Sequence, residues 1–467
     1  MEQEKLIQDI GYDIDCESTE SCDDLVVMEI TDRIKFERKL LRKIDLRLLP
    51  IIFASFFVAC LDRSNIGNAR LAGIEKDLNL NDQQFQIVLA MFFVGEVAMK
   101  IPSNLLLHKF TPSVWIPFIM LLWSITTCCM ATVKNFEELC FTRLFLGLTE
   151  AVGMLPGVMY LLSMWYSSED LATRITIFYC GGALAGAFGG FISFIITGNM
   201  NGTFGIEGWR WLLLVEGICS LIISIIAYFL LPDFPSRAKF LTTQERNLIL
   251  NRLEIPNEPY KEDNRSSEEY SKDGILLAFS DWKTYYMMIM KTFSGIVLNS
   301  IALHLPTIVN SMIDNTLQSQ ILTVPPYIFA CGFSLLMALH SDKTKERPIH
   351  LSIAAIISSI GFIILGTSHN IIVSYLATVL CTSGLWSLSP ILLTWVTDIF
   401  AFPQEKRLVA QAMVLTLSNL SGIISSNLYP KSDGPTYFFG NIFNASLLGL
   451  VILLAIIMRY ILNRTNC

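Results

Sequence analysis

Twelve apolar runs, each about as long as a bilayer is thick, constrain this chain more than any other feature. They lie near residues 48–66, 84–107, 113–133, 139–164, 173–200, 210–231, 284–306, 318–340, 349–368, 371–398, 407–428 and 438–462. A helix needs roughly 20 residues to cross the hydrocarbon core. In lipid its backbone groups must be satisfied within the segment. The runs therefore predict an all-α membrane protein with twelve transmembrane helices. A soluble fold is excluded by composition, since 52% of the 467 residues are hydrophobic and only 16% are charged. The first 45 residues are polar and acidic, so no cleavable signal peptide is expected and the first span directs insertion.

Lysine and arginine set the expected orientation. With both termini cytoplasmic, twenty-five of the 34 basic residues fall in tails and inner loops, against five (Arg70, Lys76, Lys134, Arg210, Lys431) in outer loops. The net charge of −7 comes from acidic tails and loops and carries no nucleic-acid signal. The expected division is a tail (1–47), a six-helix bundle (48–231), a cytoplasmic loop (232–283), a second bundle (284–462) and a short tail (463–467). Leu231-Pro232-Asp233-Phe234-Pro235 stops the sixth span. Thr242-Thr243-Gln244-Glu245 reads as a capping box opening a short helix to about Leu253. Two sets of six spans around one central site are the plan of repeat-built transporters. The halves share a faint repeat in the inner turns His108–Pro112 and Ser341–Pro348, the second containing Asp342 and Arg347, read as structural or gating residues.

Charges inside the spans carry the chemistry. Near the bilayer centre each costs about 2.5–3.5 kcal/mol, so such residues face a protein-lined path and mark function by default. Asp62-Arg63-Ser64-Asn65-Ile66-Gly67-Asn68 ends the first span. In the fourth, Arg143 and Glu150 are seven residues apart, two turns along one stripe. Two acids and two bases suit a cavity that holds an anion at the arginines while a proton on a carboxylate offsets its charge. A purely structural ion-pair network is the competing reading. Glu96 and Lys100 stand at i, i+4 in the second span, which fits mutual neutralisation or a substrate-facing lysine. Glu216 reads as structural, and Lys291 as a side chain snorkelling toward the cytoplasm. His304 is a packing histidine or a site residue, and Tyr327, Trp386 and Trp395 are aromatic candidates for the site wall. Gly182, Gly186 and Gly190 make successive small-xxx-small steps for close helix approach. The eleven cysteines have no metal-ligand spacing, and neither a metal nor a cofactor is expected.

Several stretches, in order, resemble the anion:cation symporter family of the major facilitator superfamily, most closely its fungal allantoate permease branch. They are Asp62–Ala69, Ile101-Pro102-Ser103-Asn104, Arg143–Ala151, Ser163-Met164-Trp165-Tyr166, Gly208-Trp209-Arg210-Trp211, Leu231–Pro235 and Leu322–Tyr327. The resemblance runs from about residue 45 to 460. It implies the major facilitator fold of two six-helix bundles, alternating access and proton-coupled uptake of small organic anions such as nicotinate or allantoate. It also implies that Asp62 and Glu150 handle protons while Arg63 and Arg143 meet the substrate carboxylate or hold the acids. The chain departs from the branch at Lys100, where an acid is typical, and at Asp398, where Asn is usual.

The leading expectation is thus a monomeric plasma-membrane importer with both termini cytoplasmic, its partners a small organic anion, protons and the bilayer. The expected substrate-binding set is Arg63, Arg143, Asn65, Lys100, His304, Tyr327 and Trp386. A proton antiporter exporting small molecules is an alternative, although the fifth span lacks the Gly-Pro-x-x-Gly-Gly pattern many exporters carry. A non-transporting nutrient sensor is another, disfavoured by the short tails. No HExxH, nucleophile elbow or phosphate loop supports an enzyme.

Overall fold

A computed structural model describes residues 19–107, 111–151, 154–166, 168–238, 240–252, 276–400 and 404–465. The side chain of Lys100 lies outside the described residues, as does the expected linker 256–273. The chain divides into two compact units, Met1–Pro50 and Ile51–Cys467. The first is helical from Thr19 onward, and the second holds everything that follows.

The helices in chain order are α1 (Thr19–Leu71), α2 (Ile74–Asp77), α3 (Asp82–Leu107), α4 (Pro112–Met130), α5 (Phe136–Ala151), α6 (Met154–Trp165), α7 (Ser168–Asn199) and α8 (Gly208–Leu230). After the short α9 (Thr243–Arg252) come α10 (Trp282–Ile313), α11 (Thr316–Leu322), α12 (Val324–Thr344), α13 (Arg347–Thr367), α14 (Ile371–Ile399), α15 (Gln404–Ser425) and α16 (Phe438–Thr465). No strand occurs among the described residues, and nine helices there are long and apolar enough to cross a membrane. The other three expected spans fall on helices that carry charge: α3 with Asp82 and Glu96, α5 and α6 with Arg143 and Glu150, and α15 with Lys406 and Arg407.

Polar side chains start the helices where the sequence puts them. Asn81 and Gln84 cap α3 reciprocally, side-chain oxygen to backbone N–H, at 3.0 and 2.8 Å. The expected box at α9 forms the same way: Thr242 N–H donates to Glu245 (2.8 Å) and Glu245 N–H to Thr242 Oγ1 (3.3 Å). Each such pair satisfies two N–H groups that a helix start leaves open.

Packing follows two sets of helices. In the first, α3 lies on α5 and α4 on α8; in the second, α13 lies on α14 and α16, and α10 on α15. Between the sets, α7 meets α11, α12 and α14, and α3 meets α15. Glycine decides the closest approach. A Cβ at Gly147 or Gly95 would collide with the backbone of the opposing helix, at Phe92 or Leu144 respectively. Only bare backbone lets α3 and α5 touch at that depth, and the contact brings Glu96 and Glu150 to one wall.

Candidate functional site

A cavity of about 130 Å³ lies between the two sets of helices. One water needs roughly 10–15 Å³, so the space suits a small molecule. Its first wall is written into α1. Phe56, Ala59, Cys60 and Arg63 line it, a run at i, i+3, i+4 and i+7 that forms one helical stripe. Glu96 from α3 and Glu150 from α5 complete this wall. Arg63 Nη2 donates to Glu150 Oε1 at 2.8 Å and to Glu96 Oε1 at 3.3 Å. The guanidinium also sits 5.1 Å from the centre of the Phe92 ring. The Arg63 side chain is 27% exposed, against 4% for Glu150 and 5% for Glu96, so the base faces the open space and the acids back it. Glu150 Oε2 has no hydrogen-bond partner among the described residues.

Asp62 is the chain neighbour of Arg63 but faces elsewhere, because successive helical residues point about 100° apart. It is buried and accepts a hydrogen bond from Ser220 Oγ on α8 at 3.1 Å. Arg143, also buried, lies within the fields of Glu150, Asp62 and Glu216. Neither Arg143 nor Asp62 is among the cavity-lining residues. Arg143 Nε and Nη2, Asp62 Oδ1 and both Glu216 carboxylate oxygens have no hydrogen-bond partner among the described residues. The four charges that the sequence groups together thus form two clusters. Arg63, Glu96 and Glu150 face the cavity, while Asp62, Arg143 and Glu216 lie inside the first set of helices.

The second wall comes from α10, α12, α14 and α15. Lys291, buried, donates to Ser389 Oγ at 2.6 Å, and Asn299 Nδ2 donates to Ser421 Oγ at 3.0 Å. Tyr327 and Trp386 meet edge-on, ring centres 6.1 Å apart. Both rings press on the glycine face of α7. A Cβ at Gly186 would stand 2.6 Å from the Tyr327 ring, and one at Gly182 2.7 Å from the Trp386 ring. The glycine steps read from the sequence as a packing device are therefore the surface on which the two sets of helices meet.

Other expected site residues lie apart from the cavity. Asn65 is buried and accepts from Asn68 Nδ2 at 2.8 Å. His304 is buried with its ring 5.3 Å from that of Tyr429. Arg347 binds Asp342, reaches Asp398 at 3.2 Å and donates to Ser341 at 3.1 Å. Trp395 is buried in the core of the second set. Residues the sequence reading missed are Lys291, taken there as a snorkelling side chain, and Ser389, Asn299 and Asn419. A signal existed: Lys291, Gly295, Leu298 and Ala302 all line the cavity at helical spacing, a stripe too mixed in polarity to face lipid.

Two ionic clusters mark the ends of the molecule. At the end bearing residues 72–81 and 426–437, Arg70 pairs with Glu75 (2.8 Å) and with Asp82. From the second set, Lys431 pairs with the same Glu75, and its backbone N–H donates to Asp82 at 3.3 Å. At the same end Thr197 Oγ1 donates to Gln320 Oε1 at 2.9 Å, and a Cβ at Gly67 would meet the Leu303 carbonyl at 2.6 Å. At the opposite end the named polar contacts stay within one set: Ser113 to Asp233, Arg347 to Asp342 and Asp398, and Lys406 to Asp281 at 2.6 Å.

Comparison with known proteins places this architecture. Residues 52–426 match the Major Facilitator Superfamily. The MFS-type transporter cnsO of Penicillium expansum is 34% identical over 429 residues, 89% of this chain and 82% of the relative. The major facilitator-type transporter hxnP of Emericella nidulans is 29% identical, covering 86% of this chain and 81% of its own. Among solved structures, the proton:xylose symporter XylE bound to 6-bromo-6-deoxy-D-glucose aligns with a TM-score of 0.68 at 16% identity, over 88% of this chain and 95% of that one. A bacterial homologue of the human lysosomal transporter Spinster, inward-facing and occupied, aligns at 0.63 with 14% identity, over 88% and 95%. At such identities the likeness speaks for the fold alone. The family match spans most of the chain, and this protein belongs to the Major Facilitator Superfamily as a membrane transporter of that type.

Proposed function

We propose that the protein is a proton-coupled importer of a small organic anion, working by alternating access, and that it belongs to the anion:cation symporter branch its sequence resembles. The observation that carries this reading is the cavity-facing triad: one partly exposed guanidinium held by two buried carboxylates. An anion entering the cavity competes with Glu150 and Glu96 for Arg63, whose fork suits a bidentate bond to a carboxylate. The displaced acid then sits in a low-dielectric site without its counter-charge, which a proton on Glu150 Oε2, an atom without a donor of its own, would remedy. Release of anion and proton returns Arg63 to its acids. Asp62, with Arg143 and Glu216, forms a second acid–base group that accepts or relays the proton.

In this reading the end clasped by Arg70, Glu75, Asp82 and Lys431 is the outer one, as the basic-residue asymmetry requires. The cavity then opens toward the cytoplasm, where both termini lie. The protein acts as a monomer in the plasma membrane, its bundles spanning 48–231 and 284–462. The test is uptake of a labelled carboxylate panel at outer pH 5 and 7.5. Accumulation of one compound, stronger at pH 5 and reduced at least tenfold in Arg63→Gln and Glu150→Gln, is the expected result (a lost charged hydrogen bond is worth about 1.5–3 kcal/mol). Undiminished proton-driven accumulation in Glu150→Gln and Asp62→Asn together would sink it.

A further inference from the structure

We propose that the basic start of α1 is a docking surface for anionic phospholipids of the inner leaflet, with Arg38, Lys39 and Arg42 meeting the headgroups and Leu46 the acyl boundary. The inference goes beyond the transport reading and takes from it only the cytoplasmic position of the N-terminus. The apolar part of α1, Lys35–Leu71, has 37 residues, and about 20 suffice to cross the hydrocarbon core. With Arg70 at the outer clasp, the residues before about Pro50 lie on the inner side of that core. Among them are Lys35, Arg38, Lys39, Arg42, Lys43 and Arg47. At about 100° per residue, Lys35, Arg38, Lys39, Arg42 and Leu46 share one stripe of the helix. Neither acid of the stretch, Glu37 or Asp45, falls on it.

Burial divides the stretch in the same way. Leu40, Ile44 and Leu48 are buried and follow one another at i, i+4 and i+8 on the opposite face. Arg38, Lys39 and Arg42 are exposed, and so is Leu46, at 72%. An exposed leucine in line with bases fits the boundary between headgroups and acyl chains, where apolar side chains insert while cationic heads stay in the polar layer. Anionic headgroups attract juxtamembrane lysine and arginine, and the guanidinium forks of Arg38 and Arg42 match phosphate oxygens two at a time. A soluble polyanion would use the bases and leave Leu46 in water; a lipid engages both. The occupant is therefore a phospholipid of net negative headgroup, of which phosphatidylserine is the simplest probe.

The experiment titrates the full-length protein in detergent with phosphatidylserine or phosphatidylcholine in mixed micelles, and thermal stabilisation gives the apparent affinity. The variants are the triple Arg38→Gln/Lys39→Gln/Arg42→Gln, the single Leu46→Ser, and a control triple, Lys343→Gln/Lys345→Gln/Arg464→Gln. The control removes the same charge elsewhere on the cytoplasmic side. All seven positions are exposed, and melting without added lipid reports the folding of each variant. Phosphatidylserine should stabilise the parent more than phosphatidylcholine does, and added salt should erase the difference. Its affinity should fall roughly tenfold or more in the first triple, severalfold in Leu46→Ser, and little in the control. Equal stabilisation by the two lipids, or equal losses in the two triples, would overturn the proposal. So would stabilisation by soluble glycerophosphoserine as strong as that by the lipid, which would make the stripe an anion site in which Leu46 has no part.

Discussion

The two ends of this transporter use the same chemistry to opposite effect. At the end near residues 72–81, ion pairs join the two sets of helices, with Lys431 reaching across to the Glu75 that also holds Arg70. At the other end, Arg347 and Lys406 find their acids within their own set. Counting salt bridges would not separate the ends; asking which bodies each bridge joins does. Polar contacts across the interface close one end, while contacts confined to one body stiffen it and leave the partner set free to move away.

The sharpest way to break this contrast is to remove the central cation at each end. The Arg70 side chain is only 3% exposed, so Arg70→Ala takes the buried cation from Glu75 and Asp82 and leaves them the half-exposed Lys431, an expected loss of about 1.5–3 kcal/mol. Amide exchange should speed up across 72–81 and 426–437 and hardly change across 341–348. Arg347→Ala should show the reverse pattern, and identical profiles for the two variants would abolish the distinction. A second intervention acts on the interface itself. In Gly186→Val the new side chain must displace Tyr327, an overpacking cost of about 1–3 kcal/mol borne only while the halves are closed. Cys180 on α7 and Cys331 on α12 lie side by side across this interface. Oxidative cross-linking of that pair should form readily in the parent and drop severalfold in the variant.

The smallest effect is expected at Asp281, which caps α10 by accepting from Lys283 N–H and pairs with Lys406. Burial opposes its charge, but the Lys406 ammonium and the Lys283 amide outweigh that and hold the carboxyl below its ordinary value. A group held low in the folded state adds stability above its unfolded value, near 3.9, and loses it as pH falls through the lower folded one. The parent should therefore exceed Asp281→Asn by no more than about 1 kcal/mol between pH 6 and 8. That margin should shrink below about pH 4, as melting curves in detergent would register.

The spans were legible because the bilayer admits so few structures: apolar runs of fixed length and capping residues between them leave little choice. The chemistry was half legible. Intramembrane charge singled out Arg63, Glu96 and Glu150, which the structure gathers. It also singled out Arg143 and Asp62, which the structure holds inside one set of helices. Heptad spacing put Arg143 and Glu150 on one stripe but could not say how deep along the helix the cavity runs. His304 looked like a site residue because a lone imidazole in lipid invites function; its partner is the Tyr429 ring, more than a hundred residues away in the chain. Lys291 was misread because snorkelling and cavity lining require the same residue at nearly the same depth, and only the neighbouring Ser389 decides between them. The glycine steps were recognised, but the rings that fill them come from α12 and α14, and no local pattern announces such partners.

Asp62 and Arg63 are joined by a single peptide bond, yet one sees the cavity and the other only the interior of its helices. A helical backbone is stiff over so short a span, so whatever tugs Arg63 also strains the Asp62–Ser220 link.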